Sequence, residues 1–173
     1  VVTRVSGRIV ALGKPGGKGG GNAVDPTARF ARPVPIGVST GHPAITAGTI
    51  GARVKDGAGL VFALSNNHVY ADMNQAILGD GVIQPGTYDG GSLPADSIGS
   101  LSAFKTLIFN NTGTCPQDPS TCNRIDAAIA ASSTDLLGRA TPSNGYGTPK
   151  AATAGARINQ KVLKYGRTTG QTQ

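Results

Sequence analysis

The chain has 173 residues, 38% of them hydrophobic, with 26 Gly, 11 Pro and no Trp, which gives room for one ordinary domain and favours short elements joined by turns. All nine acidic residues are Asp; a sequence without Glu, rich in residues that prefer turns and caps, excludes a long-helix protein and points to an all-β fold. The net charge of +7 comes mostly from the ends, where Arg4, Arg8, Lys14, Lys18, Arg29 and Arg32 face only Asp25 and no acid follows Asp135.

These basic residues are not interleaved with stacking aromatics, which argues against nucleic acid as the main partner. No stretch approaches the roughly 18 apolar residues of a membrane span. Cys115 and Cys122 are the only cysteines. A local disulfide between them would point to an oxidising, secreted or extracellular setting. A zinc site would need both cysteines with His42 and His68, at a spacing that fits no familiar pattern.

In chain order, residues 1–35 are predicted to form a Gly/Pro-rich flexible segment, with a glycine run at 16–21 and a short strand at 6–12. From Gly48 the pattern changes. Ile50, Ala52 and Val54 alternate with polar residues as in a half-buried strand. Asp56-Gly57 supplies a tight turn, and Leu60, Phe62 and Leu64 resume the alternation, completing a hairpin. One helical turn is expected at 69–73. Residues 74–96 read as loop and short strands, with turns at Gly79-Asp80-Gly81 and Tyr88-Asp89-Gly90-Gly91. Further strands are expected at 98–104, 107–110 and 124–130, where Ile125, Ala127 and Ile129 share one face opposite Asp126 and Ala128. Residues 132–154 are rich in Ser, Thr, Gly and Pro and read as a linker. Strand character returns at 157–165.

Asp126 stands among Ile and Ala, where burying a carboxylate is costly unless a cation or hydrogen bonds meet it. His68 ends an apolar strand behind Ser65-Asn66-Asn67, so it should emerge at the rim of a sheet. Alone, Asp126 would serve equally as a turn cap and His68 as a satisfied rim histidine. Together they suggest more. A carboxylate that accepts from one imidazole nitrogen fixes the tautomer and leaves the other nitrogen free to take a proton, which makes a general base.

The run Phe62-Ala63-Leu64-Ser65-Asn66-Asn67-His68-Val69 is similar to the strand of trypsin-like (chymotrypsin-fold) serine peptidases that ends in Leu-Thr/Ser-x-x-His-Val. Ile125-Asp126-Ala127-Ala128-Ile129-Ala130 resembles their Asp-x-Ala strand, and Lys164-Tyr165-Gly166-Arg167-Thr168-Thr169-Gly170 resembles the opening of the second barrel in bacterial members. The order His then Asp is that of the chymotrypsin class. The resemblance implies a first Greek-key β-barrel over 36–131, an inter-barrel linker over 132–154 and the start of a second barrel over 155–173. It implies His68 as general base and acid, Asp126 as its orienting partner, a peptide or protein substrate, and no cofactor or metal. His42 matches no catalytic position of the family and reads as structural or solvated.

The nucleophile of the family sits in a Gly-Asp-Ser-Gly segment, and these 173 residues contain none. Ser92 follows two glycines but falls between His68 and Asp126, the wrong place for it. The expectation is therefore that this polypeptide supplies the His/Asp half of a triad whose serine lies on a carboxy-terminal fragment of the same precursor. The alternative is an inactive peptidase-like binding or scaffolding protein.

Overall fold

Asp56 accepts the backbone N–H groups of Ala58 and Leu60 on one carboxylate oxygen (both 2.9 Å), and this turn joins strands β3 (Ala52–Lys55) and β4 (Val61–Ser65) into the expected hairpin. The computed structural model describes residues 24–109 and 123–173. The expected strand at 6–12, the glycine run, and both cysteines lie outside them. Among the described residues the molecule is all-β, with one four-residue helix, α1 (Asn67–Tyr70), and two 3₁₀ turns (Asp72–Asn74 and Thr87–Asp89). None of their helices is long and apolar enough to cross a membrane.

The other strands are β1 (Ser39–Thr40), β2 (Gly48–Thr49), β5 (Gly81–Ile83), β6 (Ser97–Phe104), β7 (Ala128–Ser132), β8 (Lys164–Gly166) and β9 (Gly170–Thr172). They form three antiparallel sheets, a five-stranded one in the order β3-β4-β7-β6-β5 and the pairs β1-β2 and β8-β9. Single contacts stitch the first pair to the large sheet. Gly51 donates to the Leu64 carbonyl and Gly41 bridges Ile83, while the bond from Ile50 to the Val38 carbonyl extends the β1-β2 pair itself. In β6 the register slips past Ile98 against β5 and past Ser102 against β7. Such bulges bend a strand, and here they leave Ile98 and Leu101, three residues apart, both buried.

The core gathers Val34, Ile36, Val38, Ile50, Ile98, Leu101, Leu137 and Tyr70, none more than 2% exposed. Burying an aliphatic side chain of this size contributes about 1.5–3 kcal/mol. Against these branched and aromatic groups the large sheet presents small side chains, Ala63 and Ala130, both 0% exposed and paired with each other. The larger Phe62 and Leu64 lie on the opposite face and are half-buried, while Leu60 sits exposed in the turn. The hairpin expected from the alternation is present, but the structure turns Val61 and Ala63, not Phe62 and Leu64, toward this core.

Three expected elements differ in extent. No strand covers 107–109; Leu107 is instead held by Asn74 and Ile108 by Asn123. The strand expected at 124–130 begins only at Ala128, so Asp126 stands on the approach to it. The return of strand character at 157–165 is confined to β8, and Ile158, Val162 and Leu163 are exposed.

Residues 24–35, read from the sequence as part of a flexible lead, pack onto the sheets. Val34 is buried and pairs with Leu137 of the expected linker. Arg29 grips the nearly buried Asp96 with Nε and Nη2 (2.7 and 2.9 Å). Arg32 donates to the carbonyls of Ala95 and Ser97. The β8-β9 hairpin docks on the same body through buried Tyr165 and through Arg167, whose guanidinium holds the Asp89 carboxylate at 2.7 and 2.5 Å and lies 5.3 Å from the Tyr88 ring centre.

Candidate active site

β4 and β7 run antiparallel, and their last paired residues are Ser65 and Ala128. Beyond this pair β4 turns into α1, and β7 is approached from Asp126. The turn forms because Val69 and Tyr70 are buried while the carbonyls of Asn66 and Asn67 accept the N–H groups of Val69, Tyr70 and Ala71. His42 donates its backbone N–H to Val69 and ties the turn to the neighbouring loop. His68 is thereby carried to the rim, its side chain 53% exposed, beside an Asp126 side chain 31% exposed.

Asp126 Oδ2 lies 2.5 Å from His68 Nδ1. An ionised carboxylate can only accept, so Nδ1 carries the proton and the neutral ring keeps its lone pair on Nε2. Asp126 Oδ1 meanwhile accepts the backbone N–H of Asn67 at 2.6 Å and that of His68 at 3.4 Å. The first N–H groups of a helix have no partner inside it, and Asn66, at the cap position, makes no side-chain cap bond. It donates instead to the Asp126 carbonyl at 3.2 Å. The turn cap and the imidazole partner are therefore the same carboxylate, which binds backbone through one oxygen and ring through the other. Contrary to the expectation of a buried acid among Ile and Ala, this carboxylate is partly open to solvent.

Nε2 of His68 has no hydrogen-bond partner among the described residues. Ser92 is exposed, and its backbone N–H is bound by Asp96 at 2.8 Å. The glycine before it is a packing corner, since a Cβ on Gly91 would collide with the Pro85 carbonyl. An apolar hollow of about 190 Å³ lies beside Asp126, walled by Phe104, Ile125, Ala127 and Ile129. A larger cleft, about 300 Å³, opens between residues 24–27, Asn144 and the β8-β9 hairpin and shares no lining residue with the His68–Asp126 pair.

The second histidine has a different setting. His42 Nδ1 accepts from the Ala44 N–H at 3.1 Å and Nε2 lies 3.2 Å from Asp80 Oδ2, so both nitrogens are occupied and the side chain is only 13% exposed. The Ile77 backbone N–H, and then His42, hold the Asp80 carboxyl below its ordinary value. His42 is a structural residue, locked in one tautomer. Among the described residues no group of three His, Cys, Asp or Glu side chains could hold a metal.

Two residues around the site had no signal in the sequence. Asn67 is wholly buried and donates to Asn74 Oδ1 and to the Lys105 carbonyl, both at 2.8 Å. Asn74 belongs to three consecutive residues, with Asp72 and Met73, whose φ values are +44°, +54° and +78° in chain order. Only the enrichment of Asn and Asp in the left-handed region hints at such a turn.

The chain was compared with family models, with curated proteins and with solved structures, and nothing matches in any of the three.

Proposed function

We propose that this chain supplies the general base and its orienting acid to a trypsin-like serine endopeptidase. The reading rests above all on the His68–Asp126 pair: one ring nitrogen bound to a carboxylate, that carboxylate fixed by backbone N–H groups, and the other nitrogen turned free at an exposed rim. Of the two histidines only His68 has a nitrogen to spare.

The strand order also supports it. In the order β4-β7-β6-β5 across the sheet, β4 lies beside β7 rather than β5, and we read this as a Greek-key arrangement. Adding the Gly41–Ile83 bridge, the β1-β2 pair and the bond from Gly51 to Leu64 carries contacts from β5 around to β4. We read this as the six-stranded barrel of the chymotrypsin class, with β2 and β3 as two halves of one bent strand. On this reading β8 and β9 open the second barrel.

In the reaction the serine hydroxyl transfers its proton to His68 Nε2 as its oxygen bonds to the scissile carbonyl carbon. The C–N bond then breaks, and His68 gives the proton to the departing amine. A water molecule repeats the cycle on the acyl-enzyme. Asp126 stays ionised throughout and stabilises the imidazolium. The serine belongs to a segment outside these 173 residues, a carboxy-terminal part of the same precursor.

The test is labelling of the parent protein by a serine-directed phosphonate, followed by intact-mass measurement. Labelling that disappears in His68→Ala supports the proposal. Labelling undiminished in His68→Ala removes His68 from the mechanism. Absent labelling and absent peptide hydrolysis in the unaltered protein favour the inactive scaffold.

A further inference from the structure

Asn67 is an amide sealed in the interior beside the proposed base. Its side chain is not there for packing alone. Both Nδ2 hydrogens are committed, to Asn74 Oδ1 and the Lys105 carbonyl, while its Oδ1 is buried without a partner among the described residues. A buried acceptor left unpaired costs free energy that an apolar residue of similar size would avoid. Asn74, in turn, clasps Leu107 from both sides, accepting its N–H and donating to its carbonyl, each at 2.8 Å. To bring the amide there the chain holds three successive non-glycine residues in the left-handed region, a strain that persists only where the surroundings over-determine it.

These bonds close a ring around the site. Asp126 Oδ1 holds the Asn67 N–H; the Asn67 side chain holds the Lys105 carbonyl; the Lys105 N–H donates to the Ala127 carbonyl at 2.9 Å; and Ala127 is covalently joined to Asp126. Asn74 braces the ring by tying the far end of the turn to Leu107. His68 directly follows Asn67 and is the first of the six residues that separate the two asparagines. Each bond in the ring constrains how far the carboxylate stands from the imidazole.

We propose that Asn67 and Asn74 are positioning residues, which act through Asp126 to fix the Nδ1–H···Oδ2 bond of His68; this rests on the reading of His68 and Asp126 as a base and its orienting partner. Neither amide touches substrate. The ring instead keeps the 67–74 turn from sliding against the 105–107 segment, and so keeps the free nitrogen of His68 aimed one way.

The test is proton NMR on the 173-residue chain, following the His68 Nδ1–H resonance and its exchange with water. In the unaltered chain a slowly exchanging Nδ1–H that vanishes in Asp126→Asn is expected; its absence contradicts the base-and-acid reading itself, whatever the asparagines do. Asn74→Gly keeps the left-handed turn open to the backbone but removes the clasp, and Asn67→Ala removes both donors together with the unpaired oxygen. Each is expected to speed Nδ1–H exchange by roughly tenfold or more, the scale of one lost buried hydrogen bond, with methyl resonances of Ile36 and Ile50 unmoved. Asn74→Asp keeps the acceptor for Asn67 and for the Leu107 N–H and tolerates the left-handed backbone, but it sets a carboxylate oxygen against the Leu107 carbonyl and should therefore speed exchange as well. Folded Asn67→Ala and Asn74→Gly chains with unchanged exchange overturn the inference while leaving the base-and-acid reading intact. Loss of the whole fold in both variants overturns it too, because the amides are then general supports of the structure.

Discussion

Ser65 faces Ala128 as the final pair of the β4-β7 ladder, and from that pair the chain diverges three residues onward to His68 and two residues back to Asp126. Antiparallel pairing alone therefore delivers the two side chains to one rim. The Ser65 hydroxyl donates to the Thr49 carbonyl at 2.7 Å, anchoring the end of β4 against β2.

Asp126→Asn should leave the fold in place, since an amide oxygen can still accept from the Asn67 N–H. Its NH₂ group would face Nδ1 and favour the wrong tautomer. Under the proposed function, kcat for peptide hydrolysis by the parent protein is expected to fall about 10⁴-fold, the scale for a triad with a misoriented imidazole. Steady-state kinetics beside a thermal melt separates this from unfolding.

The exchange of faces in β4 is testable by volume. Ala63→Leu forces extra methylenes against Ala130 and should destabilise by about 2–3 kcal/mol. Phe62→Ala, on the half-buried face, should cost less than Ala63→Leu and less than the roughly 3–5 kcal/mol of a core phenylalanine. Urea unfolding of both variants reads the order, and the reverse order would place the core on the other face.

Arg167 and Asp89 predict an acid limb in stability. The Arg167 hydrogen bonds, opposed by burial and assisted by Ser39, hold the Asp89 carboxyl below its ordinary value. A carboxyl depressed in the folded state contributes stability that is present above the unfolded value, about 3.9, and lost as pH falls through the folded one. The stability difference between the unaltered chain and Asp89→Asn should be constant above about pH 5 and shrink below about pH 4. At neutral pH, Arg167→Ala leaves a carboxylate only 7% exposed without its cation, and a loss of about 3 kcal/mol is expected. Equilibrium unfolding across pH measures both.

Gly91→Ala should destabilise by more than about 2 kcal/mol, because the new Cβ meets the Pro85 backbone carbonyl, which cannot rotate away. Gly57→Ala, with nothing near the added carbon, should be close to neutral. A pair of thermal melts decides, and equal melting temperatures would contradict the packing described at the Gly90-Gly91-Ser92 corner.

The hairpin at 52–65 and β6 were legible because local alternation and turn residues specify them, whereas the helical turn expected at 69–73 forms two residues earlier, as α1 (Asn67–Tyr70), with His68 inside it. The buried face of β4 was not legible. Val61 and Ala63 are apolar as well as Phe62 and Leu64, so period two leaves the parity open, and only the branched side chains arriving from 34–50 and 98–101 decide it. Likewise Asp126 could be singled out beside its apolar neighbours, yet its double duty depends on α1 having no cap of its own. The packing of residues 24–35 was hidden because it is made by Arg29 reaching Asp96, 67 positions away. No local pattern announces such a contact, nor the left-handed run at 72–74.

The most direct measurement is the ¹⁵N spectrum of the His68 ring in the chain labelled at histidine, taken where the imidazole is neutral. A proton on Nδ1 and an unprotonated Nε2, a state that is lost in Asp126→Asn, is the expected result. A proton resident on Nε2, or a tautomer mixture indifferent to Asp126, would contradict the proposal that this pair is built to draw a proton from a serine.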